Sequence, residues 1–212
     1  MKLYLSSYGL GNAGHELAAL AGSRTRTALV MNALDGYGDR LTRQIAENVE
    51  ALAAIGLHAS EVDLRDYFGR AGDLERDLAE FGVVWAVGGN SFVLRRAMRE
   101  SGFDGAIAER VRAGDLVYGG FSAGAVVATS TLRGIESVDP PDDVPPGYPR
   151  EVVWEGLGFV ETALAPHYRS PHPESAAVEA MVAEFTSRGV PVLALRDGDA
   201  LLVDGASSRV VG

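Results

Sequence analysis

Short apolar runs alternate along the chain with segments in which apolar residues recur every three or four positions. Lys2–Ser7, Arg26–Leu34, His58–Leu64 and Val83–Val87 have the length and composition of strands. His15–Ala21 and Leu74–Phe81 read as short helices. Leu41–Ile55 places Leu41, Ile45, Val49, Leu52 and Ile55 on one helical face and stops at Gly56, a residue suited to a helix C-terminus. Further on, Ser91 is placed to cap a helix Phe92–Glu100, and Ala106–Ala113 follows as another. Leu116–Tyr118 then reads as a strand that runs through a glycine-rich turn into a helix Ala123–Thr129. Strands alternating with helices predict a single α/β domain, residues 1–212, with a mostly parallel sheet flanked by helices.

The alternation stops at residues 138–150, VDPPDDVPPGYPR. Five prolines there exclude regular helix or strand and predict a surface loop, placed at the mouth of a site. Glu151–Val160 and Glu161–Ala165 read as extended, Glu174–Arg188 as a helix and Val190–Leu195 as a buried strand. Leu201–Val203 and Arg209–Val211 read as a closing hairpin.

Composition narrows the function classes. The 212 residues carry a net charge of −10, and no basic patch is visible, so nucleic acid and anionic membranes are not expected partners. There is no cysteine, which removes disulfides, thiolate catalysis and zinc–cysteine sites together. No leader-like start and no membrane-length apolar run are present, so the expectation is a cytoplasmic protein, monomer or homodimer.

Two segments carry candidate chemistry. In YGLGNAGHEL, Gly9, Gly11 and Gly14 fit the dinucleotide pattern G-x-G-x-x-G, with Asp35 about twenty residues on. A dinucleotide-binding protein using this turn is the alternative from a different class. Glu16 weakens it, because a negative charge at a phosphate-binding helix start is unfavourable. The second segment, Gly120-Phe121-Ser122-Ala123-Gly124, fits the nucleophile elbow G-x-S-x-G, with a strand before it and a helix after it. A sharp turn of this kind needs small neighbours and leaves the hydroxyl standing clear. The Ala123 amide would face an oxyanion, and Gly88 and Gly89, after the strand ending at Val87, are the source of a second amide.

A serine hydroxyl needs a base. Of four histidines, His15 follows the glycine turn, His58 begins a strand and His172 lies between two prolines. His167 ends an extended apolar run, where open α/β sheets place their sites, and is the favoured base, with His172 second. The orienting acid is assigned to Asp197, which also follows a buried strand. Asp199, Glu136 and Asp139 are the competing acids. The resulting order Ser…His…Asp differs from the Ser…Asp…His of α/β-hydrolases.

Taken together, VGGNSFVLRRAMRESG, GDLVYGGFSAGAVV and LAPHY resemble the peptidase E (α-aspartyl dipeptidase) family, over most of the chain. The resemblance implies a fold like the class I glutamine amidotransferases, a flavodoxin-like three-layer sandwich. It implies a serine peptidase acting on small peptides, with no metal or cofactor. Ser122 would be the nucleophile, His167 the base, Asp197 the acid, and Gly89 with Ala123 the oxyanion amides. Where the aspartyl dipeptidases carry an arginine after the histidine to hold an acidic side chain, this chain reads Glu174-Ser175-Ala176. Asn90, Glu174 and Arg169 are the remaining candidate substrate contacts. The missing arginine predicts a substrate range broader than aspartyl peptides.

Overall fold

The computed structural model describes residues 1–38 and 40–212. Among these residues nine strands and seven α-helices follow in chain order: β1 (Lys2–Ser6), α1 (Gly14–Ala21), β2 (Arg26–Val30), α2 (Arg40–Ala54), β3 (His58–Glu61), α3 (Ala71–Leu78), β4 (Val83–Ala86), α4 (Ser91–Ser101), α5 (Phe103–Ala113), β5 (Val117–Phe121), α6 (Ala123–Val126), β6 (Ala163–Ala165), α7 (Ser175–Ser187), β7 (Val192–Ala194), β8 (Ala200–Asp204) and β9 (Ser207–Val211). Seven strands form one sheet in the order β3-β2-β4-β5-β1-β8-β9. The first five are parallel, and the closing hairpin β8–β9 is added antiparallel to β1.

The pleat divides the core into two layers. Leu3 and Leu5 of β1, with Val84 and Ala86 of β4, face a cluster built with α3, α4, α5 and α6. The residues between them, Tyr4, Val83 and Trp85, face the opposite cluster with Leu17 and Leu20 of α1 and Leu52 of α2. Ile45, Val49 and Ile55 pack on that same face, as the helical spacing predicts; the Leu41 side chain lies outside the described residues. The expected α/β sandwich is therefore present. No helix among the described residues is long and apolar enough to cross a membrane.

Several boundaries differ from the sequence reading, each for a local reason. β2 ends at Val30, because Asn32–Leu34 turns into a 3₁₀ segment that hands the chain to Asp35. β3 ends at Glu61, and Asp63 caps a second 3₁₀ turn, Leu64–Tyr67. Helix α4 is capped by Asn90 rather than Ser91: the Asn90 side-chain oxygen accepts from the backbone N–H groups of Phe92 and Val93. Helix α6 is only one turn long, ending well before Thr129. Residues 151–160 are irregular, tied to the segment after α6 by single bridges, Thr129 to Val160 and Thr131 to Glu155. The strand expected at Val190–Leu195 is shorter, half-buried, and outside the main sheet. It pairs in parallel with β6, Ala163 opposite Val192 and Ala165 opposite Ala194.

The proline-rich segment is pinned by a buried cation. The Arg96 guanidinium, fully buried on α4, donates to the carbonyls of Pro141, Asp143, Arg150 and Glu151. These contacts give the segment an ordered course without a strand ladder, since proline lacks the N–H a ladder needs.

Candidate active site

β4, β5 and β1 lie side by side at the centre of the sheet, and their carboxyl ends open on one cleft. Open parallel sheets bind ligands at such strand ends. β5 ends at Phe121, and Ser122 follows with φ 50° and ψ −117°, a conformation that costs a non-glycine residue about 1–3 kcal/mol. Gly120 and Gly124 make this turn possible. A Cβ on Gly124 would lie 2.1 Å from the Ala86 carbonyl oxygen, and one on Gly120 would lie 2.8 Å from the same atom. The elbow thus sits directly against the end of β4. Its backbone is anchored by the Ser122 N–H, shared between the carbonyls of Ser6 and Ser7 at 3.2 Å each.

The other two members come from the small β6–β7 sheet. Its parallel register brings the ends of both strands together, and the Tyr168 N–H donates to the Leu195 carbonyl just beyond them. His167 lies two residues past β6 and Asp197 three past β7. The His167 Nε2 is 3.0 Å from the Ser122 Oγ, and its Nδ1 is 2.8 Å from the Asp197 Oδ1. A carboxylate at Nδ1 holds the proton there and leaves Nε2 as the acceptor for the serine hydroxyl. His167 is buried, and burial is the main cause holding its pKa below the usual histidine value, with the Asp197 hydrogen bond opposing. At neutral pH the imidazole is therefore the free base.

Ser7, at the end of β1, joins these parts and was not singled out in the sequence. Its hydroxyl accepts from the His167 backbone N–H at 2.8 Å and donates to the Asp197 Oδ1 at 2.8 Å. It is fully buried between them. Ser170 supports the acid from the other side, accepting from the Asp197 N–H at 2.8 Å. His172, placed second as a base, does not reach Ser122. It stacks on His167 instead, with ring centroids 3.7 Å apart and planes 10° apart. Its Nδ1 accepts from the Glu174 N–H at 3.3 Å. Tyr8, 57% exposed, packs edge-on against His167 and Phe121 at the cleft rim.

The remaining expectations divide. Gly89 and Glu174 line the cleft of about 420 Å³ in front of Ser122 and His167, and Ala123 opens helix α6 beside them. Burial raises the Glu174 carboxyl above the ordinary glutamate range. Asn90 is committed to the fold: it is buried, its oxygen caps α4 and its amide donates to the Pro140 carbonyl at 2.9 Å. Arg169 faces away, with its side chain 58% exposed, near Glu179 at 3.6 Å and over the Tyr168 ring. Glu136 is spent on the Gly134 N–H at an exposed turn. Asp139 does not meet His167; its Oδ2 accepts from the Ser91 N–H at 2.9 Å. Asp199 is likewise local, accepting from the Arg196 N–H.

The glycine-rich turn has a structural use. The Asn12 N–H donates to the Gly198 carbonyl at 2.9 Å, and a Cβ on Gly11 would lie 2.6 Å from that carbonyl oxygen. The turn is filled by the loop that carries Asp197, where a dinucleotide would need its pyrophosphate. Asp35 is equally committed, with its side chain 2% exposed and hydrogen-bonded by Asn32 and Tyr148. The nearest approach to a metal-ligand set among the described residues is His167, His172 and Glu174, whose donor atoms lie within 4.8 Å of one another. Stacked imidazoles direct their in-plane lone pairs along separate planes, so the three do not converge on one ion.

A strand-to-helix elbow presenting a serine to a histidine backed by an aspartate defines the serine hydrolases. Within that class the family is clear. The chain matches the model of peptidase family S51 over residues 23–211, belongs to that family and is a serine peptidase. It is 34% identical over 208 residues to a Streptomyces coelicolor protein named peptidase E, covering 94% of this chain and 78% of that one. It is also 34% identical over 145 residues to a Drosophila melanogaster protein described as a probable alpha-aspartyl dipeptidase, covering 66% of this chain and 57% of that one. A solved structure of a peptidase E candidate from Listeria monocytogenes EGD-e shares the fold, with a TM-score of 0.80 at 21% identity over 99% of this chain and 97% of that one.

Proposed function

We propose that this chain is a serine exopeptidase that releases the N-terminal residue of short peptides through an acyl-enzyme. The observation that carries the reading is the continuous chain Asp197–His167–Ser122, at 2.8 and 3.0 Å, on a strained elbow. His167 Nε2 takes the Ser122 hydroxyl proton as Oγ attacks the carbonyl carbon. The oxyanion is received by the amides of Gly89 and Ala123, a pair of donors worth about 3–4 kcal/mol each in comparable sites. On collapse the C–N bond breaks and His167 returns the proton to the leaving amine. Water then enters, gives its proton to His167 and adds to the acyl carbon. The acid departs and the Ser122 hydroxyl is restored. Asp197 stabilises the imidazolium formed in both halves.

Glu174 faces the same cleft and is the group suited to the substrate's free α-ammonium, which restricts the reaction to N-termini. The substrate range extends beyond Asp-Xaa. What supports this is that no lysine or arginine lines the cleft among the described residues, while Arg169 is turned to solvent. Strict α-aspartyl dipeptidase activity, suggested by the name of the Drosophila relative, is the second reading. Steady-state assays on purified wild type, Ser122→Ala and Asp197→Asn with a dipeptide panel test the proposal. Ser122→Ala should abolish turnover, and Asp197→Asn should lower kcat by roughly 10³–10⁴-fold. Hydrolysis that survives Ser122→Ala removes the nucleophile assignment, and an Asp-only profile selects the second reading.

A further inference from the structure

Beside Ser122, and sharing Ser122, His167 and Glu174 with the open cleft, lies a smaller cavity lined by α6 and α7. Its wall is apolar, with Val126, Ile135, Val178 and Met181 prominent, and its volume of about 20 Å³ holds one or two water-sized groups. One polar corner interrupts it. Asp139 is only 9% exposed there and accepts from the Ser91 N–H. The Ser91 hydroxyl is fully buried beside that carboxyl and, like the Ser91 N–H, favours its charged form, but the hydroxyl and the carboxylate are not aligned for a full hydrogen bond. A buried hydroxyl held off good hydrogen-bond geometry recovers only part of the cost of leaving water, so the corner has room for a better-aligned polar partner. Burial, more than the nearby Glu174 and Asp143 charges, raises the Asp139 carboxyl to about 6.

No cation balances the corner. No lysine or arginine lines this cavity among the described residues. The two buried arginines of α4 are engaged elsewhere, Arg95 with Asp104 and the Glu155 carbonyl, Arg96 with the proline-rich segment. An acidic side chain entering here would meet a carboxylate in a desolvated space, whereas a hydroxyl would complete the unfilled hydrogen bonds. We infer that this cavity receives the side chain of the residue whose carbonyl Ser122 attacks, and that Asp139 and Ser91 select a short hydroxyl-bearing side chain, serine or threonine, against acidic and isosteric apolar ones. The hydroxyl donates to Asp139 and accepts from Ser91, while the methyl or methylene lies on the Val and Ile wall. This specificity rests on the exopeptidase reading above.

The test compares kcat/KM for Thr-Leu, Val-Leu and Asp-Leu, since threonine and valine differ by one hydroxyl at nearly equal volume. Wild type should favour Thr-Leu over Val-Leu by about tenfold or more, because a site with unpaired polar groups rejects the analogue that cannot fill them. Asp-Leu should be the poorest. Ser91→Ala should shrink the Thr/Val ratio, and Asp139→Asn should raise Asp-Leu relative to Thr-Leu, with circular dichroism confirming that both variants fold. Equal rates for Thr-Leu and Val-Leu, or Asp-Leu as the best substrate, overturn the pocket assignment while leaving the nucleophile in place. Absence of Ser122-dependent hydrolysis of all three overturns the exopeptidase reading and this inference with it.

Discussion

The stack of His172 on His167 links a loop residue to the pH at which the enzyme can work. In the observed arrangement the His172 Nδ1 accepts from the Glu174 N–H while its ring lies on that of His167. A positive charge on His172 would stand about 3.7 Å from the ring that must accept the Ser122 proton. Two unit charges at that separation repel by about 1 kcal/mol in water-like surroundings and by about 4 kcal/mol at an effective dielectric of about 20. Burial already lowers the His167 pKa, the Asp197 hydrogen bond opposes it, and His172 lowers it further. The base must be neutral to act, so activity falls as pH drops through this pKa. His172→Phe keeps a flat ring in the stack and removes the charge. The acid limb of kcat/KM should therefore move to higher pH. The assay is a kcat/KM profile against a neutral-side-chain dipeptide between about pH 4 and 8. A limb that stays in place, or moves to lower pH, refutes the electrostatic coupling and leaves His172 a packing role.

Two further substitutions probe the parts that hold the site together. Ser7→Ala leaves the buried His167 N–H unpaired and removes a donor from Asp197; it should cost about 1–3 kcal/mol in urea unfolding and lower kcat with little change in KM, and Ser7→Thr should restore part of both. Gly11→Ala forces a Cβ to 2.6 Å from the Gly198 carbonyl oxygen at φ +61°, so it should destabilise the fold by about 1–3 kcal/mol and reduce kcat by shifting the Asp197 loop. Gly22→Ala, at φ +58° with open space around it, should show only the backbone part of the stability loss and full activity.

The legible parts of the chain were those where a local signal and the tertiary structure agree. The alternation that produces β1 to β5 appears directly in the sequence, because the inner strands β1, β2, β4 and β5 are buried on both faces and read as apolar runs. The elbow was equally readable, since Gly120 and Gly124 are required by the approach to Ala86 and Ser122 stands between them. His167 and Asp197 followed from strand-end logic. What the sequence did not display is the sheet that unites them: β6 and β7 are three residues each, and their pairing depends on register across helix α7. Ser7 gave no signal, because a serine ending a strand looks like any strand-end serine until two partners meet it. The Gly9–Gly14 turn misled for a related reason, as a close backbone approach demands glycine whether the neighbour is a phosphate or the Gly198 carbonyl. Asp139 looked like a rival acid because distance along the chain does not say which side of Ser122 a carboxyl reaches.

The central claim is that Ser122 is a nucleophile activated by His167. It is tested most directly by treating the folded protein with a fluorophosphonate and locating the adduct by peptide mass spectrometry. A single phosphonyl adduct should appear on Ser122, with its rate of formation falling at acid pH as His167 is protonated, and it should be lost in Ser122→Ala and strongly slowed in His167→Ala. An unlabelled Ser122 in folded protein, or labelling of Ser122 at an unchanged rate in His167→Ala, would contradict the account.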